Sequence, residues 1–283
     1  MSNQEELKEA SKVLRKALNE VEVAFTKGMQ IAWEQMHEID KAIKAMGDAP
    51  KAQDLPINTK SNGVSVYVNW GHGDFVNGKY LTFAHHGKYY SFLDRQGKLM
   101  ETAYEGYWNR VYGKRLGQKL TEAGFRVFYT GHNTQDRENW ERTNLANNDY
   151  NVEVLPKKGR AVWLGIHFNA HGMENQGQSI EARGASHFTS RGKTESDLIA
   201  TVLWKHFKAQ TQRFKIAYRE DLRDGDGDYE GDYQEVLMTV MPAMIFETLF
   251  FTNWEDYQLI KNNEFMEAVT DAWVMGLKEY YQV

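Results

Sequence analysis

Apolar positions in this chain follow one period first and another afterwards. From Glu5 to Met46 they recur three or four residues apart, at Leu14, Leu18, Val21, Phe25, Ala32, Met36, Ile39, Ile43 and Met46. That spacing draws one face of a helix. No proline interrupts it, and Gly28 is the only break that could fold it into a hairpin. Such a stripe suits packing on a neighbouring domain or self-association with a partner helix. Acidic and basic residues nearly balance along it, so an anionic membrane is a poor target. The segment 1–47 therefore reads as an N-terminal helical appendage. Residues 48–62, with Pro50, Pro56 and small polar side chains, read as a linker.

From Val64 the pattern turns to strands alternating with helices. Ala161 to Phe168 is a nearly continuous apolar run that ends abruptly in His167, Asn169 and His171. An unbroken run suits a central strand covered on both faces, and open α/β sheets place their sites at the carboxyl ends of such strands. The run Val64 to Asn69 ends similarly, in Gly71-His72-Gly73-Asp74, and Ala243 to Phe246 ends in Glu247-Thr248. Between these, Glu105 to Leu120 predicts an amphipathic helix stopped by Gly124, and Phe125 to Thr130 the next strand. A polar helix follows through Arg142, Ala146 and Asn147. Gln178 to Ala182 reads as a strand, and Thr194-Glu195-Ser196-Asp197 as a capping box that opens a helix. Asn253 is placed to cap a short helix, and Glu264 to Tyr281 predicts the last one. The excursion from Phe75 to Thr102 is expected to fold its aromatic runs, Tyr80 to Phe83 and Lys88 to Leu93, into a hairpin beside the strand ends. The expected class is α/β: residues 63–283 form one domain, a twisted and mostly parallel sheet with helices on both faces, preceded by a long helix or helical hairpin.

Composition removes several function classes. A chain of 283 residues can bury a substantial core, and its formal charge of −5 argues against nucleic-acid binding by a basic surface. The absence of cysteine excludes disulfides, thiolate metal sites and thiol nucleophiles. Met1 to Lys16 lacks an apolar signal-peptide core, and no run of about 18 apolar residues exists to span a membrane. The expectation is synthesis in the cytoplasm without a signal peptide.

Two imidazoles, His72 and His167, and the carboxylate of Glu247 at three strand ends outline a metal hydrolase. Imidazole and carboxylate are ordinary zinc ligands, and three of them with an open fourth position make the catalytic arrangement. Each residue alone also has a plainer reading. A Gly-His-Gly turn is common, His167 could be a hydrogen-bonded strand-end histidine, and Glu105 would be welcome in the first turn of any helix. Glu247 is harder to dismiss, because an ionised group after an apolar run is costly unless it is paired or functional.

Taken together, Gly71-His72-Gly73, Glu105 with Asn109, Ile166-His167-Phe168-Asn169-Ala170, and Pro242 through Glu247 to Asn253 resemble the zinc-dependent N-acetylmuramoyl-L-alanine amidases. The resemblance covers roughly residues 62 to 282 in the correct order. It includes Arg142, Ala146 and Asn147 on their helix and the segment Gly177 to Ala200. It implies that His72, Glu105 and His167 hold one Zn2+ and that Glu247 is the general acid and base. The implied substrate is peptidoglycan, cut at the amide between the muramic-acid lactyl group and L-alanine. Asn169 and Asn109 are implied as residues that orient substrate or ligands.

The long segment between His72 and Glu105 resembles phage-type members, which implies a lysis enzyme that acts on the wall after holin-dependent release. A silent peptidoglycan-binding or regulatory protein on this fold, a spore mother-cell lysin and a wall-recycling amidase are the alternatives. Asn69-Trp70 stands where the family usually has Asp-Pro, and Asp74 replaces a usual glycine. His85 and His86 are expected in a solvated hairpin, and His171 completes no His-Glu-x-x-His pattern. The acidic stretch Arg219 to Glu235 nearly spells a calcium loop from Asp224 to Glu235, but Tyr229 stands where such a loop needs glycine. It reads as a solvated acidic loop near the substrate groove.

Overall fold

The computed structural model describes residues 61–82, 87–131, 134–172 and 174–283. The predicted N-terminal helix, most of the linker, and His85 and His86 lie outside the described residues.

Among the described residues, eleven strands and six α-helices follow one another. The first part holds β1 (Val64–Trp70), β2 (Phe75–Val76), β3 (Lys79–Tyr80), β4 (Tyr89–Leu93), β5 (Leu99–Tyr104) and α1 (Glu105–Glu122). Then come β6 (Arg126–Tyr129), α2 (Asn139–Asp149), β7 (Arg160–Asn169), β8 (Gln176–Gly177), β9 (Ser186–Thr189) and α3 (Glu195–Thr211). The chain finishes with β10 (Tyr229–Glu230), α4 (Gln234–Leu237), β11 (Ala243–Phe250), α5 (Trp254–Ile260) and α6 (Asn263–Tyr281).

The central sheet has the order β10-β9-β11-β7-β1-β6. Strands β6, β1, β7 and β11 run parallel, while β9 pairs antiparallel with β11. Side-chain alternation along each strand sends its residues to two different cores. Val64, Val66, Val68, Val162, Leu164, Ile166, Met244 and Phe246 meet the apolar faces of α1, α3 and α6 in the larger core. Tyr67, Trp163, Ala243 and Ile245 point the other way, against Ala146 of α2, Val236 of α4 and Val154. Strands buried on both faces explain why these runs carry almost no polar residue until they end. The mostly parallel, doubly covered sheet expected from the sequence is what forms.

Register then decides where the polar ends fall. Trp70 pairs with Ile166, which puts the turn after β1 level with the end of β7. Glu247 pairs directly with His167, and Ser186 pairs with Glu247 from the other side.

Local chemistry sets the helix ends. Thr194 accepts a hydrogen bond from Ser196 N, and the Asp197 carboxylate reaches back to Thr194 N, a reciprocal cap for α3. Asn253 accepts from Asp256 N and Asn262 from Phe265 N, which opens α5 and α6.

Three expectations need correction. Gln178 to Ala182 is not a strand, and the strand lies later, at β9. The backbone of that stretch is taken up elsewhere: Tyr90 donates to Gln178 O, Asn253 Nδ2 donates to Ile180 O, and Ile180 N donates to Thr252 O. The aromatic excursion makes two hairpins instead of one, β2–β3 and β4–β5. Asp94 Oδ1 accepts from Gln96 N and Lys98 N, and that turn returns β5 alongside β4. The acidic stretch is not uniformly solvated. Asp228 is buried and accepts from Thr189, Glu220 accepts from Trp204 and Lys208, and Glu235 is buried on α4.

Removing the α3 cap should cost stability without touching the strand ends. Thr194→Ala is expected to lower unfolding free energy by about 1 kcal/mol, with Thr194→Ser near neutral. Thermal unfolding of the two variants side by side checks this, and equal midpoints would count against the cap.

Candidate metal centre and active site

The turn after β1 is shaped to bring its histidine inward. His72 has a φ of 67°, in the left-handed region, between Gly71 and Gly73. A Cβ on Gly71 would sit 2.4 Å from His167 Cε1, so only glycine lets the β1 turn approach β7 this closely. Arg110 of α1, almost wholly buried, clamps the turn by donating to the carbonyl oxygens of His72, Gly73 and Gly106. Glu105 opens α1 and is 2% exposed.

Three donor atoms converge there. Glu105 Oε1 lies 3.3 Å from His72 Nε2 and 3.1 Å from His167 Nδ1. One ligand atom from each residue falls within 4.8 Å of the others, and among the described residues no other group of acidic or imidazole side chains is arranged this way. Two imidazole nitrogens and a carboxylate oxygen, brought together by backbone that leaves room, fit a divalent zinc ion well. Glu247 stands beside them on β11. It is partly buried, and its Oε2 is shielded from solvent with no hydrogen-bond partner.

The charge state of the cluster is strained in opposite directions. Burial presses His72 down to about 4, against the pull of Glu105. Burial acts on His167 in the same sense, but the carboxylates Glu235 and Glu105 on its two sides overcome it and lift the ring to about 10. Burial tends to raise Glu105, yet His72, Lys88 and His167 hold it well below the usual carboxylate range. Burial pushes Glu247 up to about 8, against the pull of His167 and Lys88 and helped by the nearby carboxylates Glu105 and Glu235.

The other predicted residues take supporting positions. Asn109, fully buried, donates through Nδ2 to Gly71 O at 3.3 Å and so braces the histidine turn. Asn169 accepts from Ala170 N at the end of β7, a local loop contact. His171 is exposed and takes no place in the cluster.

Two residues were not picked out as site residues from sequence. Lys88, just before β4, places Nζ 3.3 Å from Glu105 Oε2. Glu235 on α4 reaches His167 Nε2 from the far side at 3.1 Å. Nothing in local spacing marks Lys88. Glu235 stands in an acidic stretch, and nothing in local spacing ties it to His167, 68 positions away.

Loading this cluster with zinc must displace protons. The flanking carboxylates favour a protonated His167 ring, and burial favours a protonated Glu247. Titration with zinc should therefore release about one to two protons per chain, and affinity should weaken as pH falls. Calorimetry in buffers of different ionisation enthalpy measures this. Binding without proton release would remove His167 from the ligand set.

Comparison with known proteins follows the geometry. The sequence profile of the N-acetylmuramoyl-L-alanine amidase family matches residues 66–279. A search of curated proteins gives no match. Among solved structures, the chain resembles an N-acetylmuramoyl-L-alanine amidase from Clostridium difficile 630, with 20% identity and a TM-score of 0.56, covering 78% of this chain and 98% of that one. It also resembles Ami1 from Mycobacterium smegmatis, with 16% identity and a TM-score of 0.54 over 79% of this chain and 98% of that one. The catalytic domain of CwlV from Paenibacillus polymyxa is similar at 20% identity and a TM-score of 0.51, over 78% and 98%. At these identities the structural likeness speaks for the fold, and the sequence profile, matching most of the chain, speaks for the family. The chain belongs to the N-acetylmuramoyl-L-alanine amidase family.

Proposed function

We propose that this amidase is zinc-dependent, with His72, Glu105 and His167 as the metal ligands and Glu247 as the general acid and base. The reaction is hydrolysis of the amide between the lactyl group of N-acetylmuramic acid and L-alanine, which frees the stem peptide from the glycan. The observation that carries the reading is the unpartnered Oε2 of Glu247 beside three convergent ligand atoms. A buried carboxylate oxygen left without a donor is costly in a merely structural position and useful where a proton must be taken up.

Zinc, when bound, supplies a Lewis acid that polarises the scissile carbonyl and makes water more acidic. The remaining work falls to the chain's own residues. Glu247 Oε2 accepts a proton from the attacking water and passes it to the leaving amine nitrogen of L-alanine, so one group serves as base and then acid. Its partly buried position keeps its affinity for protons high enough for the second step. Lys88 holds the outer oxygen of Glu105 and keeps that side chain ionised and aimed inward. Arg110 and Asn109 fix the His72 turn. The finer setting, a phage lysis enzyme released through a holin-like pore, rests on the long segment between His72 and Glu105.

The expected product of digesting purified peptidoglycan is a stem peptide with a free L-alanine amino group, with the lactyl carboxyl left on the glycan, and mass analysis reads it. Fragments cut within the stem would contradict the proposal. Glu247→Gln should keep zinc and lose turnover by roughly two to four orders of magnitude. His167→Ala should lose zinc and rate together. A Glu247→Gln protein that sheds its zinc would make Glu247 a ligand, and one that keeps both zinc and rate would end the mechanism.

The pH profile carries a sign. A general base must be ionised, so activity rises as pH climbs through the pKa of Glu247. Burial raises that pKa to about 8 and a nearby dication lowers it. The acidic limb of kcat/KM is expected above the ordinary carboxylate range and below about 8. A limb near about 4.5, the usual glutamate value, would show that Glu247 is not the group responsible.

A further inference from the structure

The acidic stretch that resembles a calcium loop ends in Glu235, the residue such a loop would use as its last ligand. In the fold it does something else. The short helix α4 turns Glu235 beneath β7, where it is 3% exposed and both its oxygens have polar partners. Its Oε1 lies 3.1 Å from His167 Nε2 and 3.2 Å from Arg142 Nη1. Its Oε2 accepts from Asn69 Nδ2 at 2.8 Å and from Trp163 Nε1 at 3.4 Å. Room for it is built into the strand below, since a Cβ on Gly165 would meet Glu235 Oε2 at 2.7 Å. Four separate elements, β1, α2, β7 with its Gly165 gap, and α4, thus agree on one carboxylate position.

The donors decide the proton on the histidine. Arg142 Nη1, Asn69 Nδ2 and Trp163 Nε1 are groups that only donate, so the Glu235 carboxylate serves them as acceptor alone. His167 Nε2 must then also donate, so when the ring gives up one proton it is Nδ1, 3.1 Å from Glu105 Oε1, that is free to offer a lone pair. We propose that Glu235 is the positioning residue of the zinc site: it fixes His167 with the hydrogen on Nε2, so that Nδ1 faces the metal. Arg142 and Asn69 hold Glu235 in turn. Asn69 at the end of β1 thus supplies an amide donor, and the carboxylate comes from α4. Carboxylates behind metal-bound histidines orient the ring and raise its basicity, and losing one typically weakens metal affinity about 10–100-fold.

This inference rests on the zinc reading above, and the test keeps the two apart. Glu235→Gln preserves volume but sets an amide N–H2 among donors. In a variant whose metal-free fold matches wild type by circular dichroism, zinc affinity from chelator competition should fall about 10–100-fold. The Nε2–H resonance of His167, seen in 15N-labelled zinc-loaded wild type, should shift or vanish in the variant. A merely structural role would lower the unfolding midpoint and leave both readouts in place. A folded Glu235→Gln protein with wild-type zinc affinity and an unmoved His167 signal overturns the inference. Should the variant fail to fold, zinc-loaded wild type decides alone: metal on Nδ1 with hydrogen on Nε2 supports it, and metal on Nε2 overturns it. Wild type that binds no zinc overturns the metal reading itself.

Discussion

Three carboxylates crowd a single buried imidazole, and the rest of the site exists to make that tolerable. Glu105 and Glu235 contact the two nitrogens of His167, and Glu247 is its register partner on the next strand. Burying an unpaired charge costs several kcal/mol, far more than one surface ion pair returns. The chain offsets this with Lys88 against Glu105 and Arg142 against Glu235. His167 and Lys88 also pull on Glu247, but burial and the neighbouring Glu105 and Glu235 outweigh them and raise its pKa. A dication among His72, Glu105 and His167 would complete the arrangement and free the protons on His167 and Glu247.

Sheet register is what makes such crowding possible. Parallel strands β1, β7 and β11 end at the same level, so residues nearly a hundred positions apart meet without long excursions of loop. The glycine at 71 permits the approach of the first turn, and Arg110 locks it from α1. Helix α1 contributes to the larger core through Tyr112, Leu116 and Leu120, all fully buried, so Glu105 is carried on one of the better anchored helices. Precision at the site is inherited from core packing.

Much of this was legible in the sequence because the same physics writes both. Strands covered on both faces must be apolar throughout, so polar residues stand out where β1, β7 and β11 stop. The Thr194 and Asn253 caps were readable for a similarly local reason. What stayed hidden depended on contacts across long separations. Leu99 and Met100 are exposed in β5 and give no strand alternation. The two-residue β8 and the four-residue α4 are too short for any period to register. Glu235 looked like one more solvated acid because seven others surround it, and only the position of α4 under β7 sets it apart.

The central claim is that His72, Glu105 and His167 form a single zinc site, with Glu247 beside it and Glu235 behind it. The most direct measurement is a crystal structure of the zinc-loaded protein with anomalous differences collected at the zinc edge. The account predicts one strong peak bonded by His72 Nε2, Glu105 Oε1 and His167 Nδ1, with Glu247 near and Glu235 still on His167 Nε2. A peak elsewhere, or one bonded by Glu235 or Glu247 in place of Glu105, would contradict it.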